Sequence, residues 1–126
     1  VLFNEDIVLK SDGSSVRTYT YIADAIAGMW RILLNGEELA YNIGDENGKV
    51  SIRELAELLV KINPEKHLKL CFDIPKDANT GCAPFTMGIL SSERLRELGW
   101  QPLNTIEEGF TRTLRYLEYE KANGRL

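Results

Sequence analysis

The sequence predicts one α/β domain, because short stretches with a two-residue period alternate with longer stretches of helical period. In VRTYTYI, residues 16–22, the side chains alternate as in a strand, with Arg17, Tyr19 and Tyr21 on one face. Apolar residues then recur at steps of three and four up to Asn35, as in an amphipathic helix. A chain of 126 residues, 44% of them hydrophobic, is long enough for one core.

The first elements are predicted to form a β-hairpin-like unit. DIVLK resembles a short strand, SDGSS supplies turn residues, and VRTYTYI is the returning strand. Asp24 suits the start of the following helix, and Asn35-Gly36 its end. In ELAYNIG, the alternation of Leu39 with Tyr41 predicts a further strand, followed by the loop DENGK.

Two capping boxes predict the starts of the two best-defined helices. Ser51 with Glu54 precedes one amphipathic helix, and Thr105 with Glu108 precedes another. Between them, HLKLCFDIP predicts a strand, residues 76–88 a long loop, and SSERLRELGW a short helix. The predicted order is β-β-α-β-α-β-loop-α-α.

Several classes of function are disfavoured by composition and motif content. A net charge of −4 and a pI near 5.1 argue against nucleic-acid binding. No run approaches the roughly 18 apolar residues of a membrane span, so a cytoplasmic location is expected. The single histidine and two cysteines do not have metal-ligand spacing, and no glycine-rich phosphate loop or catalytic triad is recognisable. We therefore expect no catalytic, cofactor-binding or metal-binding residue in this chain.

Arg17 is the residue with the clearest binding chemistry. A strand arginine beside tyrosines presents a planar fork for phosphate oxygens and rings that can stack on a sugar or base. An ion pair with Asp24 or Glu37 on a solvated sheet face would explain the same residue without any ligand. The spacing alone leaves both interpretations open.

Three motifs, taken in order, resemble a known family. They are DGSSVRTYTYIADAIAGMWRIL, YNIGDENGKVSIRELAELL and LRELGWQPLNTIEEGFTRTLRYL. Together they are similar to the C-terminal half of NAD-dependent epimerase/dehydratases, the extended short-chain dehydrogenases that act on nucleotide sugars. The resemblance implies the C-terminal part of a Rossmann-type α/β fold, with short strands and about four helices.

The resemblance also implies a division of labour within a longer enzyme. Residues 1–126 would be the substrate-binding portion. An N-terminal Rossmann region, absent from this chain, would bind NAD and carry the catalytic Tyr-x-x-x-Lys. The fragment alone would then be inactive and bind no cofactor. The parent would be a homodimer, and the fragment is expected to self-associate, because cutting the sheet leaves edges and apolar faces uncovered.

The family pattern assigns binding roles to four residues. Arg17 would reach the diphosphate of a UDP- or dTDP-sugar, and Tyr19 would line the same pocket. Asn42 would border the nucleotide, although a strand-end side chain that caps a turn is an equal alternative. Many members have a second arginine before the last helices; KDANTGCAPF has none, so Lys76 is expected to substitute or Arg17 to carry more of the binding.

The resulting hypothesis is a nucleotide-sugar-binding part of an epimerase, dehydratase or decarboxylase in surface-polysaccharide or activated-sugar biosynthesis. A non-catalytic nucleotide-binding or interaction module on the same scaffold is the alternative. A purely structural role, without any nucleotide, is a third.

Overall fold

The computed structural model describes residues 1–74 and 87–126, and it has the predicted α/β architecture. Four helices and five short strands are present in these residues. The helices are α1 (Ile22–Asn35), α2 (Ile52–Lys61), α3 (Glu93–Glu97) and α4 (Ile106–Ala122), and a 3-10 turn spans Pro64–Lys66. The strands are β1 (Ile7–Leu9), β2 (Val16–Thr18), β3 (Lys49–Ser51), β4 (Leu70–Phe72) and β5 (Met87–Gly88).

The strands form two small sheets, which corrects the predicted hairpin. β1 pairs in parallel with β4, whereas β2 lies between antiparallel β3 and parallel β5. SDGSS connects β1 and β2, but each of these strands pairs with partners distant in sequence. β2 also ends at Thr18 and not at Ile22, since α1 begins at Ile22.

The predicted strand over ELAYNIG is also wrong. Residues 37–48 contain no strand; the third strand comes later, at Lys49–Ser51. Alternation predicts which residues would share a face, but a strand also needs a neighbour for its backbone groups. In the described residues, segment 39–43 has no such neighbour, and Leu39 is fully exposed.

The helix starts follow the sequence closely because capping is local. Both predicted capping boxes are present, with the hydroxyls of Ser51 and Thr105 accepting from the backbone N–H groups of Glu54 and Glu108. Each glutamate in turn accepts from the backbone N–H of its capping residue at 2.8 Å. These bonds hold the pKa values of both carboxyls below the usual range.

The best-buried packing lies where α1 meets α3 and the segment before α4. Trp100 is 2% exposed, and its Nε1 donates to the Asp24 carbonyl at 2.8 Å. A Cβ on Gly28 would lie 3.2 Å from both the Leu95 side chain and Trp100 Nε1, so a small residue is needed for α1 to come this close. The buried Asp24 carboxylate accepts from the backbone and side-chain amides of Asn104. These contacts fasten α4 to α1.

The opposite side of α1 carries large apolar side chains that stay exposed. We call it the outer face of α1; its members are Ile22, Ile26, Met29, Trp30 and Leu33. All of them except Ile22 line a shallow concavity together with Ile32. Over residues 1–74 and 87–126, no helix is both long and apolar enough to span a membrane.

Candidate nucleotide-sugar site

Arg17 lies at the centre of the three-stranded sheet. It is opposite Val50 on β3 and Gly88 on β5, so its backbone is held from both sides. The side chain is half-buried, and Nη1 donates to the Val16 carbonyl at 2.7 Å. A guanidinium has five N–H donors in a planar fork, which suits it to bind phosphate oxygens in pairs. The sheet therefore fixes the backbone position from which the Arg17 side chain extends.

Tyr19 follows β2, and its ring packs against α4. The ring contacts Phe110 edge to face, with centroids 5.8 Å apart. Both rings line a mainly apolar cavity of about 310 Å³ between the end of β2 and the start of α4. Neither Arg17 nor Asn42 is among the residues that line this cavity. The contact with Phe110 explains the position of the Tyr19 ring by packing against α4. A role of Tyr19 in ligand binding stays a prediction.

Asn42 contacts the segment that leads from β5 into α3. Its Nδ2 donates to the Ser91 carbonyl at 3.0 Å, and the residue borders a concavity that contains Ser92 and Arg94. The contact bridges two chain segments rather than capping a local turn. Lys76, the fourth predicted residue, lies outside the described residues.

β5 and the segment that follows it connect Arg17 with Asn42. β5 pairs with β2 at Arg17, and the segment that follows β5 includes Ser91, the partner of Asn42. Tyr19 is adjacent in sequence to this sheet but faces α4. Arg17 is thus linked to this part of the chain by strand pairing, and Asn42 by a side-chain hydrogen bond.

The loop from Gly44 to Gly48, which we call the 44–48 loop, contacts both the chain after β2 and the start of α3. Its sequence did not predict a binding or positioning role. Its glycines suggest a phosphate loop, but their spacing fits no phosphate-binding motif. Four of its backbone N–H groups have partners within the protein: Ser92 Oγ, Thr20 Oγ1, Asp45 Oδ1 and the Asp45 carbonyl. Donors used in this way do not point at a ligand, so the loop does not fit a dinucleotide phosphate. The paired glycines were the one sequence signal that could have drawn attention to it.

Glu46 fastens the 44–48 loop to α3. Its carboxylate accepts from the Ser92 backbone N–H at 3.0 Å and from Arg96 Nη2 at 3.1 Å. These bonds, led by the one from Ser92, hold the pKa of Glu46 below its ordinary value of 4.5. The carboxylate is therefore ionised when it bridges the loop and the helix.

Among the described residues, no group of His, Cys, Asp and Glu could hold a metal ion. The chemistry that Arg17 offers is that of a cation on a strand that is paired on both sides. A guanidinium can bind an anionic ligand through its N–H groups.

The architecture is that of the C-terminal part of an extended short-chain dehydrogenase, a Rossmann-type α/β fold. UDP-glucose 4-epimerase from Thermotoga maritima, solved with UDP-glucose, superimposes with a TM-score of 0.77 at 25% identity. That match covers 95% of this chain and 37% of the epimerase. Other neighbours of this fold were solved with NADPH or with NAD.

Sequence comparison leads to the same group of proteins, although no protein-family model matches the chain. UDP-D-apiose/UDP-D-xylose synthase 2 of Arabidopsis thaliana is 26% identical over 92% of this chain and 33% of its own length. dTDP-D-glucose 4,6-dehydratase of Mus musculus is 28% identical over 90% of this chain and 32% of its own length. The predicted resemblance to NAD-dependent epimerase/dehydratases is confirmed, and the chain spans about a third of the length of these curated relatives.

Proposed function

We propose that this chain is the nucleotide-sugar-binding part of an NAD-dependent epimerase/dehydratase, in which Arg17 holds the diphosphate of a UDP- or dTDP-sugar. The observation that carries the proposal is the position of Arg17 on β2, the middle strand of its sheet. It is supported by relatives whose names specify UDP-sugars and a dTDP-sugar, and by a neighbour solved with UDP-glucose.

The binding chemistry is an ion pair reinforced by directional hydrogen bonds. Charge-assisted bonds from a guanidinium to phosphate oxygens are roughly twice as strong as bonds between neutral groups. Because β3 and β5 fix the backbone of Arg17, only its side chain would lose conformational freedom when the diphosphate binds. The sugar would then be held at a fixed distance from the anchored phosphates, which converts binding energy into orientation.

We further propose that a Rossmann region outside these 126 residues binds NAD and carries the catalytic residues. NAD would supply reversible hydride transfer at the sugar. The residues of this chain would bind and orient the nucleotide. The relatives are about three times as long as the matched segment, and the outer face of α1 is apolar and exposed; both support a larger body that covers it.

The finer parts of the proposal concern the whole protein. We propose a cytoplasmic homodimer that acts in surface-polysaccharide or activated-sugar biosynthesis. Cell fractionation and the mass of the full-length protein in solution test its location and its oligomeric state. Loss of a surface glycan after deletion of the gene, restored by the intact gene, tests the pathway.

Calorimetry of the full-length protein tests nucleotide binding directly. UDP and dTDP are titrated separately, and at least one is expected to bind with measurable heat. If neither binds, the purely structural interpretation replaces ours. If a nucleotide binds but no UDP- or dTDP-sugar is converted in the presence of NAD, the non-catalytic module is favoured.

The variant Arg17→Ala tests the residue on which the proposal depends. Losing a hydrogen-bonded charge should weaken nucleotide-sugar binding by about 1.5–3 kcal/mol, or roughly ten- to a hundred-fold. Arg31→Ala is the matched control, because it removes the same charge from an exposed position on α1. An affinity that stays unchanged in Arg17→Ala would remove this residue from the site.

A further inference from the structure

The 44–48 loop is bonded on one side to the start of α3. Ser92 is 1% exposed, and its hydroxyl accepts from the Gly44 N–H at 2.7 Å and donates to the Gly44 carbonyl at 2.8 Å. Glu46 adds its bond to the Ser92 backbone N–H. Because one buried hydroxyl makes both bonds to Gly44, the first residue of the loop has little freedom to shift relative to α3.

On its other side the loop is bonded to the chain that leaves β2. The Asp45 N–H donates to Thr20 Oγ1 at 2.9 Å, and the Gly48 carbonyl accepts from the Tyr19 N–H at 3.0 Å. Asp45 is itself buried, and its carboxylate accepts from the Asn47 N–H at 2.9 Å. The turn is therefore rigid internally and fixed at both ends.

Gly48 lies close against Tyr19, the residue that follows β2. A Cβ at this position would lie 2.3 Å from the Tyr19 carbonyl oxygen, far inside van der Waals contact. The obstacle is backbone, so a larger residue must push the two segments apart. Gly48 is followed directly by β3, whose Val50 pairs with Arg17. A displacement at Gly48 is therefore passed to the strand beside Arg17.

We propose that Gly48 and Thr20 are positioning residues for Arg17. Through them, the 44–48 loop fixes the position of β2 that Arg17 requires to contact the diphosphate. This inference rests on the proposed function of Arg17. Neither residue needs to contact the ligand. Gly48 sets the distance between β2 and β3, and the Thr20 hydroxyl anchors the loop to the chain just past β2.

The test measures the affinity of the full-length protein for UDP and for uridine, which has the same nucleoside but no phosphate. In Gly48→Ala we expect affinity for UDP to fall by about tenfold, since small misplacements of a binding group have effects of this order or larger. Affinity for uridine should stay unchanged. A general structural defect would lower the affinity for both ligands, and that outcome would overturn the proposal.

Thr20 provides a second variant in case Gly48→Ala does not fold. Thr20→Val keeps the shape of the side chain but removes the oxygen that accepts from Asp45, so it should also weaken UDP binding selectively. Thr20→Ser keeps the hydroxyl and should restore the affinity. Asn47→Ala, an exposed side chain in the same loop, is the matched control and should bind both ligands normally. If Thr20→Val binds UDP as tightly as the unaltered protein, the proposal is wrong.

A double-mutant cycle separates this inference from the proposed function. Once Arg17 is replaced by alanine, adding Gly48→Ala should cause no further loss of UDP affinity, because the loop acts only through Arg17. Independent, additive losses would overturn the positioning role while leaving Arg17 in the site. If Arg17→Ala alone binds UDP normally, the proposed role of Arg17 fails and this inference fails with it.

Discussion

The two faces of α1 differ in how completely this chain covers them. The inner face includes Asp24 and Gly28, which are buried against Asn104, Leu95 and Trp100. The outer face has Trp30 at 59% exposure and Leu33 at 72%. One side of this helix is thus packed in a core, and the other side has apolar residues exposed to solvent.

The difference shows which contacts are internal to this chain. Polar groups on the inner face have partners: the Asp24 carboxylate bonds Asn104, and its carbonyl accepts from Trp100. The outer face has mostly apolar atoms, and an exposed apolar patch of this kind is typical of an interaction surface. The inner face packs α1 against α3 and the segment before α4. The outer face is suited to contact another protein surface.

The largest effect should come from removing the inner-face core. Trp100→Ala in the full-length protein deletes a buried ring and leaves the Asp24 carbonyl without its donor. We expect the free energy of unfolding to fall by about 3–5 kcal/mol, the usual range for a large buried side chain. Urea denaturation followed by circular dichroism measures it. A loss below about 1 kcal/mol would mean that this face is not the core.

A smaller effect is expected at the start of α4, the helix that the inner face holds. Thr105→Ala removes the hydroxyl that accepts from the Glu108 N–H and should lower the free energy of unfolding by about 1 kcal/mol. Thr105→Ser keeps the capping oxygen and is the control. Equal losses in both variants, in the same urea experiment, would argue against the capping bond as the cause.

The link between the 44–48 loop and α3 should depend on pH. Because the pKa of Glu46 in the folded state lies below its ordinary value of 4.5, its contribution to stability is present above that pH and is lost as pH falls through the lower value. Glu46→Gln should therefore be less stable than the unaltered protein near neutral pH, and the gap should narrow as the pH falls below 4.5.

Urea denaturation at several pH values measures this gap. Glu57→Gln, an exposed glutamate on α2, controls for the loss of one charge. A gap that stays constant between about pH 6 and about pH 3 would show that the bonds from Ser92 and Arg96 do not stabilise the fold.

The smallest effect on stability is expected on the outer face of α1. In the 126-residue chain prepared alone, Leu33→Gln should change the free energy of unfolding by less than about 0.5 kcal/mol, because the side chain is exposed. The same variant should reduce self-association, measured by light scattering over a range of concentrations. If the unaltered chain is already monomeric at high concentration, the predicted self-association is wrong.

Local features of the fold were predictable from the sequence. The capping boxes at Ser51 and Thr105 involve residues three positions apart, and α1 follows from its apolar period. Pairing between strands was not predictable. The turn after β1 predicted a hairpin, but β1 pairs with β4 instead, because the sequence of one strand does not specify its neighbour.

At the candidate site, the alternating pattern correctly predicted that Arg17 lies on a strand, and its role in binding stays a prediction. The contacts around it were not predictable: Ser92 bonds Gly44 across 48 positions, and Asn42 bonds Ser91 across 49. The packing of Tyr19 on Phe110 also joins distant segments. Such contacts depend on how the elements fold together, which no short stretch of sequence encodes.

The two tryptophans of this chain lie on the two faces of α1 compared above. Trp100 is almost fully shielded, whereas most of Trp30 contacts solvent. Fluorescence quenching by a soluble collider such as iodide should therefore act mainly on Trp30, and any body that covers the outer face should protect it. In this 126-residue chain, Trp30 would therefore report whether the outer face is covered, and Trp100 would serve as the internal reference.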